Sequence, residues 1–215
     1  TSALGCLGIM VNDKATNIIK DFRSAPVGKG EIAGGYVLCT VVVGLLMSFL
    51  MLALGEIYIA AMGGPLLSPG ALLKVSGLIV LVSLSNTSGM LFFASFFKNH
   101  NAYTSAAGMI SSFMGFIAGA YIPIGMMPGF IRWTVEPLPV FQGASLLRQA
   151  MIDGMFDSSF AGMAPEKVTE FKNIMGITTQ IGSFQVPAIL SYIILAASFV
   201  IFFSLSVRNL SRKEG

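Results

Sequence analysis

The amino-acid sequence predicts an all-α fold, a polytopic transmembrane helical bundle, on three observations. Apolar residues make up 54% of the 215 and charged residues only 11%. The mean hydropathy is +0.79. The apolar residues also gather into stretches near the roughly 20 residues that a helix needs to cross a bilayer. A water-soluble domain carries about a quarter charged residues to solvate its surface, so lipid must cover much of this one. Thirteen Met, seventeen Phe and twenty-four Gly suit packed membrane helices, where small residues let backbones approach.

Four full apolar stretches run over 33–54, 72–97, 104–122 and 186–207. Residues 1–11 supply only half of another, with no initiator Met and no basic segment before them. They read as the end of a span in an N-terminally truncated chain. The polar segments between are 12–32, 55–71, 98–103 and a long one over 123–185, with a tail over 208–215. The expectation is a single transmembrane domain over 1–215. Cys6 and Cys39 both lie in apolar stretches and read as buried structural thiols, not as a disulfide framework or a metal cluster.

Charge assigns the sides. Successive loops must alternate, so 12–32, 98–103 and the tail share one face. That face holds eight of the thirteen basic residues against four acids, a net of +4, and the opposite face has a net of −1. Basic loops stay in the cytoplasm, which places the C-terminus inside and the long segment 123–185 outside.

Two spans carry local signals. Ser111, Gly115 and Gly119 repeat at four-residue spacing, a small-residue stripe that favours close helix packing. Ser83, Ser85, Asn86, Thr87 and Ser88 form a polar patch near the middle of another span. Such groups need partners in lipid. The patch either hydrogen-bonds between helices or faces a substrate path.

The loop 12–32 contains Ala15, Ile18, Ile19 and Phe22 at i, i+3, i+4 and i+7, one face of a short helix. Asn12 or Asp13 suits its cap, and Pro26 disfavours helix at Ala25. Lys14, Lys20 and Arg23 decorate the other surface. A helix of this kind lies in the headgroup layer or docks its apolar face in a groove of a soluble partner, and the pattern fits both. In the outer segment, Pro123, Pro128, Pro137 and Pro139 punctuate a stretch still rich in apolar residues. After Pro139 a short amphipathic helix is expected, with Phe141, Ala144, Leu147 and Met151 on its apolar side. Gln142, Ser145, Gln149 and Asp153 lie away from that side. The helix is too short to span, so it is interfacial or re-entrant.

Catalytic signatures are missing from these residues. No Gly-x-x-x-x-Gly-Lys-Ser/Thr occurs, since Gly28-Lys29 is followed by Gly30, so a nucleotide-driven process would need an ATPase elsewhere. An intramembrane metalloprotease would need His-Glu-x-x-His, and His100 is the one histidine, expected as a solvated loop residue. Ser88-Gly89 is a faint serine-protease echo without a base. An ATP-independent secondary transporter would place an ionisable residue within its spans, whereas Glu56 and Lys74 sit at the span ends.

Two stretches carry a family resemblance. The run from Gly119 through Pro123, Pro128 and Arg132, followed by Pro137 and by Leu147-Arg148, is similar to the ABC type-2 permease pattern after the fifth span. The loop from Asn12-Asp13-Lys14 to Phe22-Arg23-Ser24-Ala25-Pro26 resembles that family's acidic residue, short helix and Ser-Pro ending. It departs in having Asp13 where Glu is usual and Ala25 between Ser24 and Pro26. The resemblance implies the membrane subunit of a bacterial ABC exporter, with six spans in the intact protein and about five represented here. It implies a multi-pass protein of the plasma membrane, paired with itself or a sister permease and surrounded by lipid. No nucleic-acid partner is expected, and no metal or catalytic residue in this chain. ATP and Mg would be bound by a separate ABC ATPase subunit. Asp13, Ala15, Ile18, Ile19, Phe22, Arg23 and Pro26 would form the coupling helix that receives the ATPase's movement. Pro123, Pro128, Pro137, Leu147 and Arg148 would belong to an extracellular gate. A hydrophobic drug, an antibiotic peptide or a lipid-like molecule would be the cargo.

The charge count generates a direct test of topology. In intact cells a cysteine replacing Lys167 should react with a membrane-impermeant thiol reagent, and one replacing Lys29 should not. The reverse labelling pattern would overturn the orientation.

Overall fold

A backbone in lipid has no water to satisfy its amides, so apolar stretches of this length close their hydrogen bonds as helices. The computed structural model describes residues 2–16, 18, 29–152, 165–181 and 184–212. Its long helices are α1 (Ser2–Ala15), α2 (Lys29–Ala61), α3 (Pro69–Ser95), α4 (His100–Ile117) and α8 (Ala188–Arg212). Between α4 and α8 lie a 3-10 turn (Ile124–Met126) and three shorter helices, α5 (Gly129–Val135), α6 (Pro139–Ile152) and α7 (Pro165–Ile174). A two-residue antiparallel pair, β1 (Gln180–Ile181) with β2 (Phe184–Gln185), precedes α8. The fold is all-α, a polytopic helical bundle.

Local chemistry sets the helix starts. Ser68 caps α3 by accepting the amide of Ala71 at 3.3 Å, with Pro69 in the first helical position, where its missing N–H costs nothing. Asn99 does the same for α4, accepting the amide of Asn101 at 2.9 Å. Prolines also occupy the first positions of α6 and α7. At 1.5 Å per residue, α2 is about 50 Å long, α3 about 40 Å and α8 about 37 Å, against a hydrocarbon slab of roughly 30 Å. Among the described residues, three helical stretches are long and apolar enough to cross it: Gly34–Ala61, Pro69–Ser95 and Ala188–Asn209. With 18 residues, α4 is about 27 Å long and stops short of the expected span 104–122, because the chain turns at Gly119.

The chain divides into two compact units. The first takes residues 1–47, 83–114 and 196–215. Its core is Leu4, Leu7, Met10 and Val11 of α1 against Leu91 and Ala94 of α3 and Tyr103 and Ala107 of α4. The Tyr103 hydroxyl donates to the Leu4 carbonyl at 2.6 Å, and its ring meets Phe93 and Phe97. Asn209 of α8 donates to Ser95 at the end of α3, at 2.7 Å. This unit holds the described parts of all three segments that charge assigns to one face. The second unit takes residues 48–82 and 115–195 and contains the whole segment between α4 and α8.

Several details differ from the sequence expectation. The first helix runs through Asn12 and Asp13 to Ala15, so neither residue caps a new helix. Asp13 instead accepts the Tyr36 hydroxyl at 2.6 Å, a bond that ties the end of α1 to α2. Cys39 is exposed and Cys6 half-buried, because α2 packs few of its side chains inside. The histidine is no loop residue: His100 opens α4 and is half-buried. The small-residue stripe is broken, since α4 ends at Ile117 and Gly119 lies outside it. Gly115 is covered by the ring of Tyr121 from its own chain, so it cannot form a seam for a neighbouring helix. The second helix continues to Ala61, which places Glu56 inside it. One Glu56 carboxylate oxygen accepts the amide of Leu67 at 3.1 Å and braces the α2–α3 connection.

Candidate functional site

The second unit is organised around α6, and of the expected apolar side it fully buries only Phe141, the rest of its buried positions lying on the polar side. Gln142 and Ser145 are fully buried, while Ala144, Leu147 and Met151 are only half-buried. The reason is that each polar group meets a partner. Gln142 donates to the Glu136 carbonyl at 2.7 Å and accepts from the Ser191 hydroxyl of α8. Ser145 donates to the Ile177 carbonyl at 3.1 Å and accepts from Thr179 at 3.0 Å. Gln149 donates to the same Ile177 carbonyl at 2.6 Å. A satisfied polar face can be buried without the desolvation penalty that an orphaned group carries. Leu146, Ala150 and Phe141 fill the remaining inward positions.

Arg148 closes this arrangement. The fourth helix ends in a Schellman turn: Gly119 has φ 66°, its amide reaches the Phe116 carbonyl at 3.0 Å, and the Ala120 amide reaches Gly115 at 2.8 Å. The Ala118 and Gly119 carbonyls remain, and Arg148 Nη2 donates to both, at 2.6 and 3.0 Å. The end of α7 is built the same way. Gly176 has φ 65°, with Gly176 N–H to Asn173 at 3.3 Å and Ile177 N–H to Lys172 at 2.9 Å. A Cβ at Gly119 or Gly176 would lie 3.5 or 3.4 Å from the guanidinium. One cation thus sits against two helix C-termini, each carrying the negative end of a helix dipole. Burial lowers the Arg148 pKa from its ordinary value, and the dipoles oppose that cost.

The other expected gate residues are placed as follows. Pro123 precedes the 3-10 turn and Pro128 precedes α5, both as non-helical cap positions. Pro137 is exposed between α5 and α6. Ile124 is buried with Val135 and Phe141. Glu136 is only 2% exposed and pairs with Arg132 at 3.2 Å. Burial raises its carboxyl above the usual range, and Arg132 pulls in the opposite direction.

The polar patch lies in the first unit. Ser85 of α3 and Ser198 of α8 share a hydrogen bond of 2.6 Å, and Ser88 donates to the Ser85 carbonyl at 2.7 Å. An interhelical bond therefore accounts for the buried hydroxyls of Ser85 and Ser198, and a bond within α3 for that of Ser88. Asn86 Oδ1 is buried without a hydrogen-bond partner among the described residues. In the loop 12–32, Asp13 and Ala15 lie at the end of α1, and Ile18 is helical and exposed. Ile19, Phe22, Arg23 and Pro26 lie outside the described residues, so the structure does not bear on the proposed coupling face. Sequence reasoning missed Gln142, Ser145, Gln149 and Gly176 as contact residues. The available signal was a helix of short polar side chains beside a Gly that ends its neighbour.

Helices able to cross a bilayer, joined by a folded segment, define a multi-pass helical membrane protein. A family model described as ABC-2 type transporter matches residues 1–152, and the chain belongs to that family. No curated protein matches it. Its class is the permease, the membrane component of an ABC transporter, and membrane subunits of this family generally pair with an ABC ATPase.

Two outcomes follow. Arg148→Leu should lower the unfolding midpoint in detergent, since hydrogen bonds to a charged group contribute about 1.5–3 kcal/mol. Arg148→Lys, which keeps a cation at the two carbonyls, should recover part of the loss. Equal midpoints for the Leu variant and wild type would refute the capping role. The second outcome concerns pH. With its folded pKa raised, Glu136 contributes stability below the ordinary carboxylate pKa and loses it as pH rises through the folded value. Glu136→Gln should therefore gain stability relative to wild type between pH 4 and pH 7, measured by thermal unfolding at both. A constant difference across that interval would contradict the assignment.

Proposed function

We propose that this permease supplies the translocation path of a bacterial exporter in the plasma membrane, driven by ATP hydrolysis on a separate ABC ATPase subunit. The observation that carries this reading is the family match over 1–152, which takes in both the loop 12–32 and the Gly119–Arg148 region. These 215 residues contain no phosphate-binding loop motif, which supports placing ATP and Mg on the partner. The chain would act as a homodimer or with a sister permease, its C-terminus in the cytoplasm. The cargo class is a hydrophobic drug, an antibiotic peptide or a lipid-like molecule, in keeping with the apolar spans. The helices from Pro123 to Asp153 would close the path from outside. Arg148 and the α6 network would hold that gate to the end of α4.

The coupling role belongs to Ile18, Ile19 and Phe22, which dock in a groove of the ATPase and pass its closure to the spans. Burying one such side chain contributes roughly 1.5–3 kcal/mol, so losing one or two weakens the complex by about one to several powers of ten. Phe22→Asp should lower co-purification of the ATPase and abolish ATP-dependent export while membrane insertion stays normal. If the loop served only as a lipid anchor, neutralising Lys14, Lys20 and Arg23 would matter more and the ATPase would stay bound. Retention of both ATPase and export by the Phe22 variant would sink the coupling role.

A further inference from the structure

Within the first unit, α1 and α2 border a cavity of about 410 Å³. Cys6, Ile9 and Asp13 line it from α1, at i, i+3 and i+7 on one face of that helix. Ile32, Tyr36 and Cys39 line it from α2 with a similar spacing. From Asp13 to Cys6 the wall extends about 10 Å along α1, at 1.5 Å per residue. Its chemistry changes over that distance. Asp13 and Glu31 supply carboxylates, whereas Ile9 is aliphatic and the thiols of Cys6 and Cys39 behave as small apolar groups.

The negative charge of Asp13 stays available to a ligand. Its carboxylate accepts the Tyr36 hydroxyl at 2.6 Å, a neutral donor, and among the described residues it forms no ion pair. The bond occupies one carboxylate oxygen and holds Tyr36 at the cavity wall. An aromatic ring beside a carboxylate attracts an organic ammonium or phosphonium ion, the ring through its face and the acid through its charge. The rest of the slot is apolar and open at its side, with Ile9 58% exposed and Cys39 exposed. A hydrated inorganic cation gains nothing from such walls, whereas a cation that carries apolar groups fills them. Among the described residues no three His, Cys, Asp or Glu side chains come together as ligands for a metal ion.

We propose that the cavity between α1 and α2 binds an amphiphilic organic cation, its charge against Asp13 and the Tyr36 ring and its apolar part along Ile9, Cys6 and Cys39. As a statement about cargo this rests on the exporter reading, which it narrows to lipophilic cations. As a binding site it depends on neither an ATPase nor the direction of transport.

Tetraphenylphosphonium is the probe, and equilibrium dialysis against the full protein in a nonionic detergent reads its dissociation constant with no ATPase present. Wild type should bind it saturably, and triphenylphosphine oxide, neutral and of similar bulk, should not compete. Asp13→Asn keeps an acceptor for the Tyr36 hydroxyl and removes the charge, so it should weaken binding about tenfold. Asp13→Glu should keep most of the affinity. Cys39→Trp, which fills the slot, should abolish binding and so place the probe in this cavity. Four results would each overturn the proposal: no saturable binding to wild type, unchanged affinity in Asp13→Asn, unchanged affinity in Cys39→Trp, or equal competition by the neutral compound. Because no ATPase takes part, each of them would leave the exporter reading standing.

Discussion

The second unit of this permease rests on one electrostatic constraint, a guanidinium held between the C-termini of two helices. Among the described residues Arg148 forms no ion pair. Its hydrogen bonds run instead to carbonyls that α4 leaves open. Those carbonyls are open because Gly119 ends α4 in a left-handed turn, and Gly176 ends α7 in the same way against the same cation. A side chain at either glycine would be strained by the positive φ, and each glycine lies at contact distance from the guanidinium, so two backbone turns and one long side chain form a single device. Around it α6 turns its polar face inward, the reverse of the usual amphipathic helix. The hydrogen bonds to Ile177, Ser191 and Glu136 decide that orientation.

Much of the helical architecture was legible in the sequence because bilayer thickness imposes a length that apolar runs must reach. The caps at Ser68-Pro69 and Asn99 start α3 and α4 three to four residues before the apolar stretches that open at 72 and 104. The ends were harder. Apolarity continues past the close of α4 through Ala120, Tyr121 and Ile122, and only the conformation of Gly119 stops the helix. Conversely, polar residues such as Glu56 and Arg208 did not stop α2 or α8, since a charged side chain near a helix end can leave the apolar layer without disturbing backbone bonding.

The site was less legible than the spans. Periodicity identifies the apolar face of α6 correctly but says nothing of which face is covered. That depends on acceptors such as the Ile177 carbonyl, about thirty residues away and silent in any pattern. The same blindness applied to Asp13, whose partner Tyr36 lies on another helix, and to Ser85, whose partner Ser198 is far along the chain. Polar residues in a lipid setting advertise that they need partners, while their identity comes from tertiary packing.

The division of the chain into interleaved units has a consequence for biogenesis. Synthesis runs from the N-terminus, yet the carbonyls of Ala118 and Gly119 wait for Arg148 to emerge, and Ser95 waits for Asn209. Each unit is assembled from separated stretches of chain, 1–47 with 83–114 and 196–215 in the first and 48–82 with 115–195 in the second, so neither is complete until part of α8 has been made. Each helix can enter the membrane in turn, but lateral assembly has to follow delivery of the last one. A chain interrupted before α8 would therefore leave both halves unfinished, with their polar contacts exposed to quality-control proteases.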